Sequence, residues 1–87
     1  MNIFYHKRFL KHYKKSISPH PTLIKKYEER IRIFFENSSN PILQDHSLTN
    51  DLEGYRAFSV TGDIRVIYYI EKDTIHLYDI GTHNQVY

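Results

Sequence analysis

The stretch Gly54–Ile70, GYRAFSVTGDIRVIYYI, decides the fold of this 87-residue chain. It holds two runs rich in aromatic and β-branched residues, separated by the tripeptide TGD at positions 61–63. Runs of this kind favour β-strands. Glycine beside aspartate favours a tight hairpin between them, because glycine adopts positive φ without a steric penalty. A third run, Thr74–Ile80, follows three charged residues, so the sequence predicts a three-stranded meander.

Alternation along the strands divides these side chains between two faces, because successive residues of a strand point to opposite sides of the sheet. The first face is mostly apolar and has to be covered: Arg56, Phe58, Val60, Ile64, Val66, Tyr68 and Ile70. The second face mixes small and charged side chains, where we expect function: Ala57, Ser59, Asp63, Arg65 and Ile67. Arg56 is the charged exception on the first face, and we expect it to tie the sheet to a helix.

Two amphipathic helices are predicted before the meander, after a short apolar segment, Asn2–Tyr5, that suits an edge strand. The first helix follows His6 and has one apolar side, formed by Phe9, Leu10, Tyr13 and Ile17. It should end near residues 16–18, because the prolines at 19 and 21 cannot continue it. The second helix begins near Thr22 and ends before the turn-forming residues 37–41. Its charged residues, Arg30 among them, fall mostly outside an apolar stripe of Ile24, Tyr27, Ile31, Phe34 and Phe35.

These elements predict an α+β fold with the order β-α-α-β-β-β, in one domain that spans residues 1–87. A helix with one apolar stripe has to bury it, and the apolar first face of the meander is the surface available for this. We therefore expect a helical hairpin packed on one face of a mostly antiparallel, twisted sheet. The second face is expected to stay open.

The composition restricts the class of protein further. The chain has no cysteine, which excludes disulfides and thiolate metal sites, and no apolar run near the ~20 residues of a membrane span. We expect a cytoplasmic protein without a cofactor, a metal or a membrane partner. Residues 1–40 hold nine Lys and Arg against three Glu (+6), and residues 41–87 hold three against seven Asp and Glu (−4). The basic half suits either a polyanionic partner or an ordinary solvated surface.

Five side chains from three segments carry the chemistry of a possible site: His46, Asp63, Arg65, His83 and Tyr87. A neutral imidazole accepts a proton near neutral pH and an imidazolium donates one, so two histidines can share both tasks. Arginine is suited to holding a phosphate, and a tyrosine ring can stack on a base while its hydroxyl bonds a phosphate. Such a set suits RNA cleavage without a metal, in which the 2′-OH attacks the adjacent phosphate.

Each of these residues also has a simpler explanation. A histidine in a loop such as residues 42–53 is more often an ordinary surface residue. Asp63 suits a hairpin turn, Arg65 suits an ion pair across two strands, and Tyr87 suits a frayed chain end. The remaining histidines, at positions 6, 12, 20 and 76, show no partner pattern and are assigned no function.

The order and spacing of three segments resemble the RelE/ParE superfamily of type II toxins, and most of all its YafQ-like branch. The segments are HKRFLKHYKK (6–15), DHSLTNDLEGYRAFSVTGDIRVIY (45–68) and LYDIGTHNQVY (77–87). The resemblance covers essentially the whole chain and implies a RelE-like fold. It further implies a ribosome-dependent messenger-RNA endonuclease that inhibits translation. The implied partners are the ribosome, messenger RNA and a cognate acidic antitoxin, with operator DNA bound only through the antitoxin complex.

The resemblance also implies roles for the candidate residues. His46, Asp63 and His83 match a histidine, an aspartate and a histidine of the family's active site. Tyr87 matches an aromatic residue that contributes to cleavage, and Arg65 matches an arginine that contacts the substrate phosphate. His83 becomes the leading general acid or base, His46 its partner and Asp63 a supporting group. Which histidine is the base stays open.

At positions 57 and 59 the sequence departs from YafQ-like toxins, which carry an acidic residue and a histidine there. This chain has Ala57 and Ser59 instead, so two polar groups of the family's site are missing. Two other functions therefore stay under consideration. One is a ParE-like toxin that inhibits DNA gyrase without cutting RNA, and the other is a catalytically weakened toxin that acts mainly through antitoxin binding.

The basic first helix is expected to approach RNA on the ribosome. In that case its lysines contact phosphates and make binding depend on salt: Lys7, Lys11, Lys14 and Lys15. Otherwise this side of the helix is only a solvated surface.

Overall fold

The computed structural model describes residues 2–87. The strands are β1 (Asn2–Tyr5), β2 (His46–Ser47), β3 (Arg56–Ser59), β4 (Ile64–Glu71) and β5 (Thr74–Thr82), and the α-helices are α1 (Lys7–Ser16), α2 (Pro21–Glu36) and α3 (His83–Val86). The predicted order β-α-α-β-β-β is confirmed, with two short elements that the sequence did not reveal, β2 and α3. No helix in this part of the chain is long and apolar enough to cross a membrane.

The strands form one sheet in the order β1-β5-β4-β3-β2. β1 runs parallel to β5, and the other neighbouring pairs are antiparallel, so the predicted mostly antiparallel sheet is confirmed. Phe58 pairs with Val66, and Ala57 pairs with Ile67. The predicted division of side chains between two faces therefore holds for β3 and β4. A bulge after Ile67 shifts the pairing of β4 with β5.

The helices α1 and α2 cover the first face of the sheet and form the main core with it. The buried side chains of this core are Phe9, Ile17, Tyr27, Phe34, Leu43, Phe58, Val60, Ile64, Val66, Tyr68, Ile75, Leu77 and Ile80. The rings of Phe34 and Phe58 stack with their centroids 4.7 Å apart, which joins α2 to β3. Leu10 and Phe35, predicted for the helix stripes, are 52% and 45% exposed. Each follows a buried residue and so points about 100° away from it.

Two arginines lie where the sequence analysis did not expect them. Arg30, assigned to the outside of α2, is 9% exposed, and its Nη1 donates to the main-chain oxygens of Ile42 (3.0 Å) and Ser59 (3.2 Å). The prediction that Arg56 ties the sheet to a helix is wrong. Arg56 is exposed and pairs with Asp45 at 2.7 Å, because β3 lies next to the edge strand β2 and the loop before β2 is within its reach.

The hairpin between β3 and β4 forms without the positive φ predicted for Gly62. Gly54 is the glycine with positive φ in the described residues, at 92°. The turn is held instead by Thr61, whose Oγ1 accepts from the N–H groups of Asp63 (3.2 Å) and Ile64 (3.0 Å). A threonine hydroxyl that satisfies two main-chain donors stabilises a turn that needs no left-handed residue.

The second face of the sheet is covered at its centre, in contrast to the prediction that it stays open. Ala57 and Ile67 are fully buried there. The side chains packed against them come from the loop after β2, from α3 and from neighbouring strands: Leu48, Val86, Tyr55 and Tyr78. This small apolar cluster fixes the loop around β2 and the helix α3 side by side on the sheet.

Candidate functional site

Beside the covered centre of the second face, the loop around β2 and the helix α3 enclose a groove of about 430 Å³. Its lining side chains are His46, Leu48, Thr49, Asn50, Asp51, Leu52, His83 and Tyr87. Three of the five predicted site residues therefore meet in one place, although they come from two distant segments of the chain. These three are His46, His83 and Tyr87.

Two sets of contacts fix His46 at the edge of the groove. The preceding residue, Asp45, accepts from Arg56 at 2.7 Å and from the hydroxyl of Tyr68. The ring of His46 has its own hydrogen bond, because its Nδ1 lies 2.9 Å from the main-chain oxygen of Gln44. A carbonyl oxygen only accepts, so Nδ1 carries a proton and Nε2 of the neutral ring keeps a lone pair.

The helix α3 holds His83 and Tyr87 one helical turn apart. The main-chain N–H of His83 donates to the main-chain oxygen of Asp63 at 3.2 Å, which attaches the start of α3 to the hairpin loop. The side-chain oxygen of Gln85 accepts from the N–H of Thr82 at 2.9 Å, which satisfies a donor at the helix start. The rings of His83 and Tyr87 meet edge to face with their centroids 4.4 Å apart. Each ring thus restricts the orientation of the other.

The fourth predicted residue, Arg65, lies beside Tyr87. Its Nη1 donates to Ser59 Oγ at 2.9 Å and to the main-chain oxygen of Thr61 at 3.2 Å, and its guanidinium also lies within hydrogen-bonding reach of the Tyr87 phenol. Burial raises the pKa of the Tyr87 phenol, and the neighbouring Arg65 guanidinium opposes this shift only in part. The phenol therefore stays protonated near neutral pH and can donate a hydrogen bond next to a cation.

The fifth predicted residue, Asp63, reaches the site through its main chain. Its carbonyl oxygen accepts from the N–H of His83, whereas its side chain is exposed on the hairpin loop and does not line the groove. A supporting role for the carboxylate stays a prediction.

The four lysines predicted to bind RNA do not line the groove. Lys7, Lys11 and Lys14 are exposed on α1, and Lys15 lines a different cavity together with Gln85 of α3. Gln85 lines that cavity, whereas His83 and Tyr87 line the groove. The helix α3 therefore lies between the basic helix α1 and the groove.

Positions 57 and 59, where the sequence departs from YafQ-like toxins, both have a structural role in this chain. Ala57 is fully buried in the small apolar cluster. Ser59 donates its hydroxyl to the main-chain oxygen of Thr61 at 2.6 Å and accepts from Arg65. The first position therefore contributes packing, and the second orients the predicted phosphate-binding arginine.

Sequence reasoning missed most of the residues that position the site. Tyr68 was assigned only to the apolar face, but its hydroxyl also binds Asp45. Ser59 was described only as lacking the family's histidine, but its hydroxyl accepts from Arg65. Asn50 and Asp51 line the groove, but a polar loop without periodicity gives no direction for its side chains. For Asp45 a signal existed, because a carboxylate directly before a candidate histidine is placed to fix that histidine's loop.

Substituting Gly81 is expected to displace α3. A Cβ on Gly81 would lie 2.8 Å from Gln85 Oε1 and 3.3 Å from Val86 Cγ1, so Gly81→Ala should cost about 1–3 kcal/mol of unfolding free energy. Denaturant unfolding measures this cost. Gly62→Ala is the matched control, because nothing lies within 4 Å of its added Cβ and it should change stability by less than about 1 kcal/mol. Equal stability of the two variants would contradict the close packing of α3 on β5.

Comparison with known proteins identifies a family for the entire chain. A family model described as "Bacterial toxin of type II toxin-antitoxin system, YafQ" matches residues 1–87. Among curated protein sequences, none matches this one.

Several solved structures share the fold. The structure of YafQ from E. coli strain BL21(DE3) superposes with a TM-score of 0.84 at 23% identity, covering 99% of this chain and 97% of that one. The YafQ chain of the E. coli DinJ–YafQ complex gives a TM-score of 0.81 at 24% identity over 99% and 97% of the two chains. A YoeB/ParE toxin from Agrobacterium tumefaciens gives 0.80 at 15% identity over 95% and 99%. At these identities the likeness concerns the fold alone.

Proposed function

This chain belongs to the YafQ family of bacterial type II toxins, and on that basis we propose that it is a ribosome-dependent endoribonuclease that cleaves messenger RNA and arrests translation. The observation that carries the proposal is the groove in which His46, His83 and Tyr87 meet, with Arg65 at its side. These are two groups that transfer protons near neutral pH and two that bind an anion, which is the set that RNA cleavage requires.

The proposed reaction uses the 2′-OH of the substrate as the nucleophile. A base removes its proton, the oxygen attacks the adjacent phosphorus, and an acid protonates the 5′-oxygen as its bond to phosphorus breaks. The products are a 2′,3′-cyclic phosphate and a free 5′-hydroxyl. Since imidazoles perform both proton transfers, the scheme is metal-independent.

His46 is proposed as the base and His83 as the acid. The hydrogen bond from His46 Nδ1 to Gln44 selects the tautomer whose Nε2 accepts a proton, and it supports the positive charge that follows. His83 is exposed on the opposite wall of the same groove, where its imidazolium can protonate the leaving oxygen.

Arg65 and Tyr87 are proposed to bind the reacting phosphate. Arg65 is held by Ser59 and Thr61 through one nitrogen, so its remaining N–H groups can meet the phosphate oxygens as charge develops on them. The protonated phenol of Tyr87 adds a neutral donor beside this cation. Asp63 keeps its predicted place as a supporting group near His83.

The experiment that tests the function is induction of the toxin, followed by mapping of messenger-RNA ends and by an assay for DNA breaks. Breaks in phase with codons support the nuclease. DNA damage without RNA breaks would support the gyrase inhibitor instead. If neither RNA breaks nor DNA damage appear, the result would favour the catalytically weakened toxin. Two observations favour that alternative: Ala57 is apolar, and the hydroxyl of Ser59 is already hydrogen-bonded.

The proposed protein partner is a cognate acidic antitoxin. The E. coli YafQ toxin has been solved in complex with DinJ, and a YoeB–YefM complex from Staphylococcus aureus also shares this fold. We propose that the antitoxin folds across the toxin's exposed surfaces in the cytoplasm and that operator DNA is bound only through the resulting complex.

Removing the four predicted RNA-binding lysines should flatten the salt dependence of ribosome binding. Each phosphate contact that is lost lowers the slope of log K against log salt by about 0.7–0.9. The variant replaces four side chains with glutamine: Lys7, Lys11, Lys14 and Lys15. A variant with the same change in charge elsewhere serves as the control, and it replaces Lys25, Lys26, Arg32 and Lys72. Equal slopes in the two variants would assign the α1 lysines to a solvated surface.

A further inference from the structure

A buried carboxylate organises a second group of polar side chains between α1 and α3. Asp79 of β5 is 1% exposed, and its Oδ2 accepts from Arg8 Nε at 2.8 Å. Its Oδ1 accepts from His12 Nδ1 at 2.5 Å and from the main-chain N–H of Ile80 at 2.8 Å. Both oxygens are therefore occupied, so this carboxylate serves to orient an arginine and a histidine that the sequence analysis did not connect with it.

Arg8 is held on two sides and still has free donors. Its Nε binds Asp79, which raises the pKa of Arg8 by a hydrogen bond and by charge attraction, and its guanidinium carbon lies 5.6 Å from the centroid of the Tyr78 ring. A cation over an aromatic ring gains further stabilisation. The two terminal nitrogens of Arg8 make no hydrogen bond to residues 2–87, so they can bind a ligand in a fixed plane.

These side chains line a cavity of about 320 Å³ in which every lining residue except a neutral His12 offers a hydrogen-bond donor. The lining residues are Arg8, His12, Lys15, Ser16 and Gln85. Gln85 uses its side-chain oxygen to accept from Thr82, so its NH₂ group is the part that stays available. Arg8 and Lys15 carry permanent positive charges, and the one carboxylate nearby already binds three donors.

We propose that this cavity binds a phosphate group, carried by a free phosphate compound or by the backbone of a nucleic acid. The cavity exceeds the ~30 Å³ of one water molecule about tenfold, which leaves room for a tetrahedral anion with part of its hydration shell. Two positive charges and donors from two helices favour an anion over a cationic ligand, because the carboxylate of Asp79 is already occupied by three donors. The site lies apart from the groove of His46 and His83 and does not depend on RNA cleavage.

Binding in this cavity takes up a proton at His12. Because Nδ1 of His12 donates to Asp79, its Nε2 can donate to an anion only when the ring is protonated. The charged groups that face the ring are Asp79 from β5 and Arg8 and Lys15 from α1, while α3 contributes the uncharged Gln85. Anion affinity is therefore highest when the His12 ring is protonated and falls when the ring loses that proton.

A titration with inorganic phosphate at constant ionic strength, followed by NMR of the histidine and arginine side chains, tests the site. Saturable shifts of the His12 and Arg8 signals are expected. Lys15→Ala should weaken binding about tenfold, as expected for a charge-assisted hydrogen bond. Lys25→Ala is the matched control, because Lys25 is exposed on α2 and does not line the cavity. Shifts that do not saturate, or equal affinities of the two variants, overturn the proposal.

The proton linkage is tested with sulfate, whose charge is constant between about pH 5 and 8, the range in which histidine titrates. Wild type should bind sulfate more weakly as the pH rises, and His12→Asn should bind it with an affinity that does not change with pH. Sulfate affinity in the wild type that is independent of pH would contradict the role of His12.

A 2′-O-methylated oligoribonucleotide, which cannot be cleaved, distinguishes the two sources of the phosphate. If Lys15→Ala weakens the oligonucleotide more than Lys25→Ala does, the phosphate is that of a nucleic-acid backbone. If Lys15→Ala weakens inorganic phosphate alone, the site serves a free phosphate compound. Both results support a phosphate site. Both binding measurements can also be made if the protein turns out not to cleave messenger RNA.

Discussion

Replacing His83 with alanine is expected to slow messenger-RNA cleavage on the ribosome by about 10²- to 10⁴-fold, the usual contribution of one general acid–base group. His83 lines the groove with His46 and is proposed to protonate the leaving 5′-oxygen. Without that proton the oxygen leaves as an alkoxide, which is a poor leaving group. Ribosomes programmed with a synthetic messenger RNA give the rate in single-turnover experiments, with the new ends mapped by primer extension.

The matched control for this variant is His20→Ala. His20 is an exposed histidine at the start of α2 and does not line the groove, so its loss should leave the cleavage rate unchanged within about threefold. Because His83 is also exposed, His83→Ala should fold as the wild type does, which unfolding curves can verify. If wild type and His83→Ala arrest translation equally and neither produces new RNA ends, catalysis by this groove is wrong.

The same system assigns the acid and the base. A base must be deprotonated to work, so His46→Ala should remove the rise in rate with pH, and His83→Ala should remove the fall at higher pH. A substrate with sulfur in place of the leaving 5′-oxygen needs no protonation. This substrate should restore cleavage by His83→Ala and leave His46→Ala slow. The reverse pattern would exchange the two roles.

The fold could be predicted because each of its large elements has a repeating pattern. The alternation in Gly54–Ile70 fixed which side chains face the helices, and the register of Phe58 with Val66 agrees with it. The errors concern single side chains whose direction no period decides. Arg30 lies in a charged helix position but bends inward, where its Nη1 donates to the main-chain oxygens of Ile42 and Ser59.

The residues of the candidate site could be proposed from the sequence, but their arrangement in space could not. The matching positions pointed to His46 and His83, yet nothing in the chain's periodicity indicates that Leu48 and Val86 pack on one Ala57 and bring the two segments together. Short elements such as β2 and α3 bury only a few side chains and produce no pattern of their own. Contacts between residues far apart in sequence, such as that of Asp45 with Tyr68, carry no local signal either.

The small apolar cluster explains why position 57 carries alanine and not an acidic residue. An acidic residue at position 57 would lie under Leu48 and Val86, where a charge without a partner is costly. In this chain the loop with His46 and the helix with His83 are instead held together by apolar contacts. The proposed site therefore relies on two histidines and one arginine, and the loss of any of these should have a large effect.

Replacing Arg65 with alanine is expected to lower the cleavage rate by about 10²- to 10³-fold, comparable to the loss of a group that stabilises transition-state charge. Arg65 binds Ser59 and Thr61 through Nη1 and lies beside the Tyr87 phenol, so its guanidinium is oriented before the substrate arrives. Arg65→Lys keeps the charge but not the planar fork, and it should lie between alanine and wild type. Single-turnover rates at saturating ribosomes measure both variants.

A phosphate-binding role for Arg65 differs from a structural one in which kinetic parameter changes. If Arg65 meets charge that develops during the reaction, kcat falls while KM stays nearly constant. If it only holds the hairpin turn through Thr61, stability falls and cleavage by the folded fraction does not change. Arg32→Ala on α2 controls for the loss of one exposed positive charge on the surface. Cleavage by Arg65→Ala within about threefold of wild type would remove the arginine from the site, because an aligned guanidinium beside a reacting phosphate contributes more than that.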